Sequence, residues 1–158
     1  MQITNDDSSP TISIGTPVTI GEDGANATFT ISLSAVSGRT IGFDLGTANG
    51  TATSGSDYTA LSSNYTIAAG SLTRTVTVPI TDDALGCEGD ETFTATLSNL
   101  SNASPGTLVS TATISENDFP VLSISSATVN EGASAALTGS LSFICATAVT
   151  FDWATVPI

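Results

Sequence analysis

The chain of 158 residues has no histidine and no lysine, and its only cations are Arg39 and Arg74. Without lysine there is no Schiff-base nucleophile and no phosphate-binding ammonium. Without histidine there is no imidazole base, no His-ligated zinc and no Ser-His-Asp triad. Two guanidinium groups cannot neutralise a phosphate backbone, so nucleic acid is excluded as a partner class, and an acidic membrane surface would repel the chain. Long apolar runs are also missing, so no helical membrane insertion is expected. Residues 1–10 show neither the basic nor the apolar region of a signal peptide.

What the chain does contain is 22 Ser, 27 Thr and 14 Gly, together with 15 carboxylates and a formal charge of −13. Its apolar fraction is an ordinary 40%, and only 11% of residues are charged. An acidic disordered tail would be poorer in Val, Ile, Leu and Phe, so a folded core is expected.

Apolar residues recur with a period of two. Phe29, Ile31 and Leu33 alternate with Thr30 and Ser32; Ile41, Phe43 and Leu45 alternate with Gly42 and Asp44. Val76, Val78 and Ile80, then Phe93, Ala95 and Leu97, alternate with threonines in the same way. Each run reads as a strand with one face in a core and a hydroxyl-rich face in water. Threonine suits that outer face because its branched Cβ fits a pleated surface while its hydroxyl stays solvated. Turn clusters at Glu22-Asp23-Gly24, Ser37-Gly38, Ala48-Asn49-Gly50, Ala69-Gly70-Ser71, the acidic stretch 82–91 and Ser104-Pro105-Gly106 separate the runs. The pattern predicts an all-β chain built as an antiparallel β-sandwich.

An internal repeat sets the organisation. Pro10-Thr11-Ile12-Ser13-Ile14 recurs as Pro120-Val121-Leu122-Ser123-Ile124, Ser32-Leu33-Ser34 as Ser140-Leu141-Ser142, and Phe43-Asp44 as Phe151-Asp152. Ile3-Thr4-Asn5-Asp6-Asp7 and Ile114-Ser115-Glu116-Asn117-Asp118 precede the two copies. The expected organisation is a tandem array with a period of roughly 110 residues. Residues 1–9 would be the last strand and linker of a preceding repeat, 10–118 a complete repeat, and 119–158 the first strands of a following, incomplete one. In that fragment Val149, Phe151 and Trp153 would stand uncovered unless further chain or a neighbouring molecule supplies the missing strands.

The complete repeat resembles a Calx-beta domain, the immunoglobulin-like sandwich of sodium–calcium exchangers and many bacterial surface proteins. The matching residues run in order through Val18-Thr19-Ile20-Gly21-Glu22, Asn49-Gly50-Thr51-Ala52-Thr53-Ser54-Gly55-Ser56-Asp57-Tyr58 and Val78-Pro79-Ile80-Thr81-Asp82-Asp83. They continue through Glu88-Gly89-Asp90-Glu91-Thr92-Phe93 and Leu97-Ser98-Asn99 to Ala112-Thr113-Ile114-Ser115-Glu116-Asn117-Asp118. The resemblance implies calcium, held by Glu22, Asp57, Asp82, Asp83, Glu88, Glu116 and Asp118, with Glu91 a weaker candidate. The chemistry agrees: Ca2+ takes oxygen ligands, and clustered carboxylates need a neutralising charge that no cation in residues 82–91 supplies. The acidic loop is longer by one residue than the family spacing, and Asn117 stands where aspartate is common, which leaves room for roughly one or two ions. A plain solvated acidic surface is the alternative. Asp44 and Asp152 read as solvating residues on outer strand faces, Asp23 as turn chemistry, and Glu131 as the counterpart of Glu22.

Cys87 lies in the acidic loop, and Cys145 in the turn between the second and third strands of the next copy. In a sandwich of this order those two ends abut across the Asn117–Pro120 junction, so a Cys87–Cys145 disulfide between repeats is geometrically sensible. It would require an oxidising setting; two thiols, buried or on the surface, are the alternative. Asn49 is explained by its Asn-Gly turn, and Trp153 occupies the position of Leu45, which points to a core or interface role.

The functional expectation is an extracellular or cell-surface structural and adhesive module, a calcium-stiffened segment of a long stalk, adhesin or filament. Its partners would be neighbouring repeats, or further copies joined by strand complementation. A carbohydrate- or protein-binding module with calcium-ordered loops is the alternative. An enzyme is not expected, because calcium ligation explains paired acids such as Asp57 and Glu88 with fewer assumptions than glycosidic chemistry.

Overall fold

Alternation of apolar residues with Thr and Ser decides which segments pair, and the computed structural model shows the result for residues 8–16, 18–24, 26–83, 86–145 and 147–154. Most of the strand expected within 1–9 lies outside the described residues. The chain forms two units, one made of Met1–Asp83 and Asp90–Ser115, the other of Ala84–Gly89 and Glu116–Ile158. The six-residue loop 84–89 therefore belongs to the second unit, although both its ends continue into the first.

The first unit contains β1 (Thr11–Ile14), β2 (Val18–Gly21), β3 (Asn26–Leu33), β4 (Ile41–Asn49), β5 (Ser62–Ile67), β6 (Thr73–Pro79), β7 (Glu91–Ser101), β8 (Ser104–Pro105) and β9 (Val109–Ser115). They form a four-stranded sheet, β6-β3-β1-β8, and a five-stranded sheet, β2-β9-β7-β4-β5. The chain changes sheet between β1 and β2. Two strand pairs among the described residues are parallel, β1 with β8 and β2 with β9. The expected immunoglobulin-like sandwich is thus present, with mixed pairing at one edge of each sheet.

The inward residues of both sheets make one core. Ile31, Ile41, Leu45, Val78, Phe93 and Ala112 are among those fully removed from solvent. Phe29 and Phe93 meet edge to face at 6.2 Å, and Tyr58 stacks on Phe93 at 4.2 Å, joining the two sheets through aromatic contacts. Tyr58 reaches this position because its hydroxyl donates to Asn49 Oδ1 at 2.7 Å, which satisfies a polar atom that burial would otherwise strand. Ser54 N–H bonds the same oxygen at 3.1 Å, so Asn49 also shapes the turn that follows β4.

One outward residue departs from its expected role. Asp44 is half-buried, and its carboxylate accepts the Asn64 amide from β5 and the Asn99 amide from β7, the latter at 2.5 Å. The central position of β4 brings two amide donors to one carboxylate, so Asp44 ties three strands rather than merely solvating one.

The second unit contains β10 (Leu122–Ile124) and β11 (Gly139–Leu141), an antiparallel pair. Their pairing reproduces that of β1 with β3: Leu122 faces Leu141 as Ile12 faces Leu33. The flanking bonds also recur. Ser34 N donates to Thr11 O and Thr11 N to Ser34 Oγ, each at 2.9 Å. Ser142 N donates to Val121 O at 3.1 Å and Val121 N to Ser142 Oγ at 2.9 Å. The counterpart of β4 does not form: residues 149–154 are not strand, and among the described residues of this unit no strand lies beside them to take their backbone bonds. Ile124, Phe151 and Trp153 are exposed, Trp153 at 69%.

Candidate functional site

The expected carboxylates divide between the units, Glu22, Asp57, Asp82 and Asp83 in the first and Glu88, Glu116 and Asp118 in the second.

In the first unit, β2 runs parallel to β9 as far as Gly21 beside Ser115, and Glu22 N–H extends the ladder by donating to Ser115 O at 3.1 Å. The chain then turns, with Gly24 N–H on Gly21 O at 2.8 Å, which leaves Glu22 buried while Asp23 is exposed. Asp82 and Asp83 follow β6 and are exposed. Carboxylate oxygens of Glu22 and Asp83 lie within 4.8 Å of each other. Asp57 has a different job. Its Oδ2 accepts Thr53 N–H at 2.6 Å, its own N–H bonds Thr53 O at 3.0 Å, and its carbonyl accepts Thr81 N–H at 2.9 Å. Gly55, at φ +96°, supplies the left-handed residue this tight loop needs. Asp57 thus closes its own loop and anchors the segment entering Asp82. Neither Asp57 nor Asp82 joins a group of clustered acids among the described residues.

In the second unit the organising residue is Glu116. One carboxylate oxygen accepts Glu88 N–H at 2.8 Å and the other accepts Asp118 N–H at 2.7 Å. Burial acts to raise its pKa, but hydrogen bonds from the backbone of Asp118, Glu88, Gly89 and Asn117 outweigh it and hold the carboxyl below the usual glutamate range. Carboxylate oxygens of Glu116 and Asp118 lie within 4.8 Å of each other. Cys87 and Cys145 are joined by a disulfide with Cα atoms 5.1 Å apart. Cys87 N–H donates to Asp118 O, and Thr147 Oγ1 donates to Cys87 O, each at 3.3 Å. Gly86 pairs with Cys145 in an isolated bridge, and a side chain at Gly86 would strike the Phe143 ring and the Asp118 carbonyl.

The bracing by Glu116 and the loop closure by Asp57 were not anticipated, since both roles are set by which backbone N–H groups a turn aims inward. Glu91, the weaker candidate, opens β7 opposite Ile114 and belongs to neither clustered group.

These donors are all carboxylate oxygens, the set that a hard divalent cation takes. Each carboxylate oxygen has more than one acceptor site, so a Glu116 oxygen that accepts an N–H can still face a cation.

Comparison with known proteins places this arrangement. The sequence profile of the Calx-beta domain matches residues 5–118. Among solved structures, the apo-form Calx CBD1 domain superposes with a TM-score of 0.63 at 19% identity, over 68% of this chain and 99% of that one. CBD12 from CALX1.2 gives 0.65 at 18% identity, over 68% of this chain and 44% of that one. The calcium binding domain CBD12 of CALX1.1 gives 0.66 at 18%, over 73% and 50%. The chain thus spans half or less of those two structures, and at such identities the likeness is one of fold. No curated protein sequence matches. With the profile spanning β1 to β9 and the sandwich in place, the chain belongs to the Calx-beta domain family.

Proposed function

We propose that this chain is a calcium-binding structural repeat of an extracellular or cell-surface protein, serving as a stiff spacer in a stalk, adhesin or filament. The observation that carries this reading is the pairing of acids: Glu22 with Asp83 in the first unit, and Glu116 with Asp118 in the second. Like charges held this close repel unless a cation or proton neutralises them. In this reading the calcium ligands are drawn from Glu22 and Asp83 in the first unit and from Glu88, Glu116 and Asp118 in the second, with Asp57 closing the loop that anchors the segment entering Asp82. The ion would supply positive charge and a fixed oxygen geometry, ordering loop ends that the sandwich alone leaves to solvent.

The spacer role draws support from the repeated β1–β3 register in β10–β11, which fits 10–118 as one complete repeat and 119–158 as the start of another. A disulfide in the described structure fits an oxidising compartment.

Calorimetric titration with CaCl2 tests the proposal. Binding in the millimolar range or tighter is expected, weakened by about tenfold or more in Asp83→Asn and in Glu22→Gln. Absence of heat from the intact, oxidised chain, or affinity unchanged from the parent in both variants, would remove the carboxylates from this role.

A further inference from the structure

Residues 86–89 are fastened to other residues of the second unit in two different ways. The polar fastening includes Glu88 N–H on Glu116, Cys87 N–H on the Asp118 carbonyl, Thr147 Oγ1 on the Cys87 carbonyl and the Gly86–Cys145 β-bridge. The covalent fastening is the Cys87–Cys145 disulfide. Cys87 sits at φ +67°, in the left-handed region that side chains other than glycine enter at a cost, and Gly89 follows at φ +86°. A residue in that conformation persists where its surroundings over-determine it, and here the surroundings include a covalent bond. Glu88, one of the acids assigned to calcium, is the next residue in the chain.

We infer that the Cys87–Cys145 disulfide is a redox latch that fixes the acidic loop and thereby sets the calcium affinity of the module. The inference rests on the calcium reading proposed above. Reduction by a dithiol breaks the Sγ–Sγ bond. Two electrons and two protons enter, Cys87 and Cys145 become thiols, and the dithiol leaves as its own cyclic disulfide. Only non-covalent contacts then oppose relaxation of Cys87 out of the left-handed region. When it relaxes, it carries the Glu88 amide away from Glu116 and its own amide away from Asp118. A calcium ligand on a loop that must first be ordered binds more weakly than one already held in place. The oxidised chain is the tight-binding form, and the reduced chain the loose one.

The test has two arms on the intact chain. In the first, calcium is titrated calorimetrically with the disulfide intact and again after excess dithiol; the dissociation constant should rise by roughly tenfold. Cys87→Ser/Cys145→Ser should bind like the reduced chain and ignore dithiol. In the second, amide hydrogen exchange is followed in calcium-free buffer. Reduction should abolish protection at Cys87 and Glu88 and leave β3 and β7 unchanged. Equal calcium affinity in both redox states would overturn the latch while the calcium reading stands. A chain that binds no calcium when oxidised would overturn the calcium reading and the affinity effect with it. The exchange arm would still separate a latch from an ornament, since unchanged protection on reduction would mean that the disulfide fixes nothing.

Discussion

Tyr58 shows how one residue connects the core to the loops. Its ring lies on Phe93 in the centre of the sandwich, while its hydroxyl reaches Asn49 at the end of β4. Removing only the oxygen leaves the ring contacts intact but costs Asn49 one of its bonds. Tyr58→Phe should therefore lose about 1–2 kcal/mol, the scale of a side-chain hydrogen bond in a buried setting. Equilibrium urea unfolding checks this; a loss well below 0.5 kcal/mol (an approximate bound) would mean that water replaces the hydroxyl freely. Asn49 was legible as a turn residue from Asn49-Gly50, yet its acceptance of the tyrosine proton was not. Sequence spacing does not reveal which way a side-chain amide faces once the turn has closed.

The same limit governs elements. Strands whose inner residues are large and apolar were legible: Phe29-Ile31-Leu33 in β3 and Phe93-Ala95-Leu97 in β7 are all buried, as their alternation requires. β5 was not, because Ser62-Ser63-Asn64 precedes Tyr65, and only Ile67 is fully buried in this edge strand. β8 has two residues, one of them Pro105, and pairing at a sheet edge is the only reason it is a strand.

For the acidic elements, the positions of the acids were legible but not the division of labour. Asp57 turns its carboxylate to the backbone of Thr53, and Glu116 binds two amides from separate stretches of chain. Because Glu116 is held below the usual glutamate range, its contribution to stability is full above about pH 4–5, the unfolded value, and fades as pH falls through the lowered folded value. In calcium-free buffer, Glu116→Gln should melt below the parent chain at pH 7, and the gap should close on acidification toward pH 3. A gap of constant size over that range would mean that the charge on Glu116 contributes nothing and only its shape matters.

At the scale of the whole molecule, a formal charge of −13 is set against two arginines. Repulsion of this size favours expansion, and a bound divalent cation relieves it where the acids are densest. The charge was legible from the sequence. The Cys87–Cys145 pairing was legible as a possible bridge, but the grouping of loop 84–89 with the second unit was not.

Thermal unfolding of the oxidised chain in millimolar calcium, repeated in EDTA, tests calcium binding most directly. A cation that binds only the folded state at 100 times its dissociation constant adds about 2.7 kcal/mol, which corresponds to a melting point higher by roughly 10 °C for a domain of this size. A tenfold loss of affinity in Asp83→Asn should cut the increase to about half, roughly 1.4 kcal/mol. Identical melting points in calcium and EDTA would contradict the account and leave the acids as a solvated surface on a plain structural repeat.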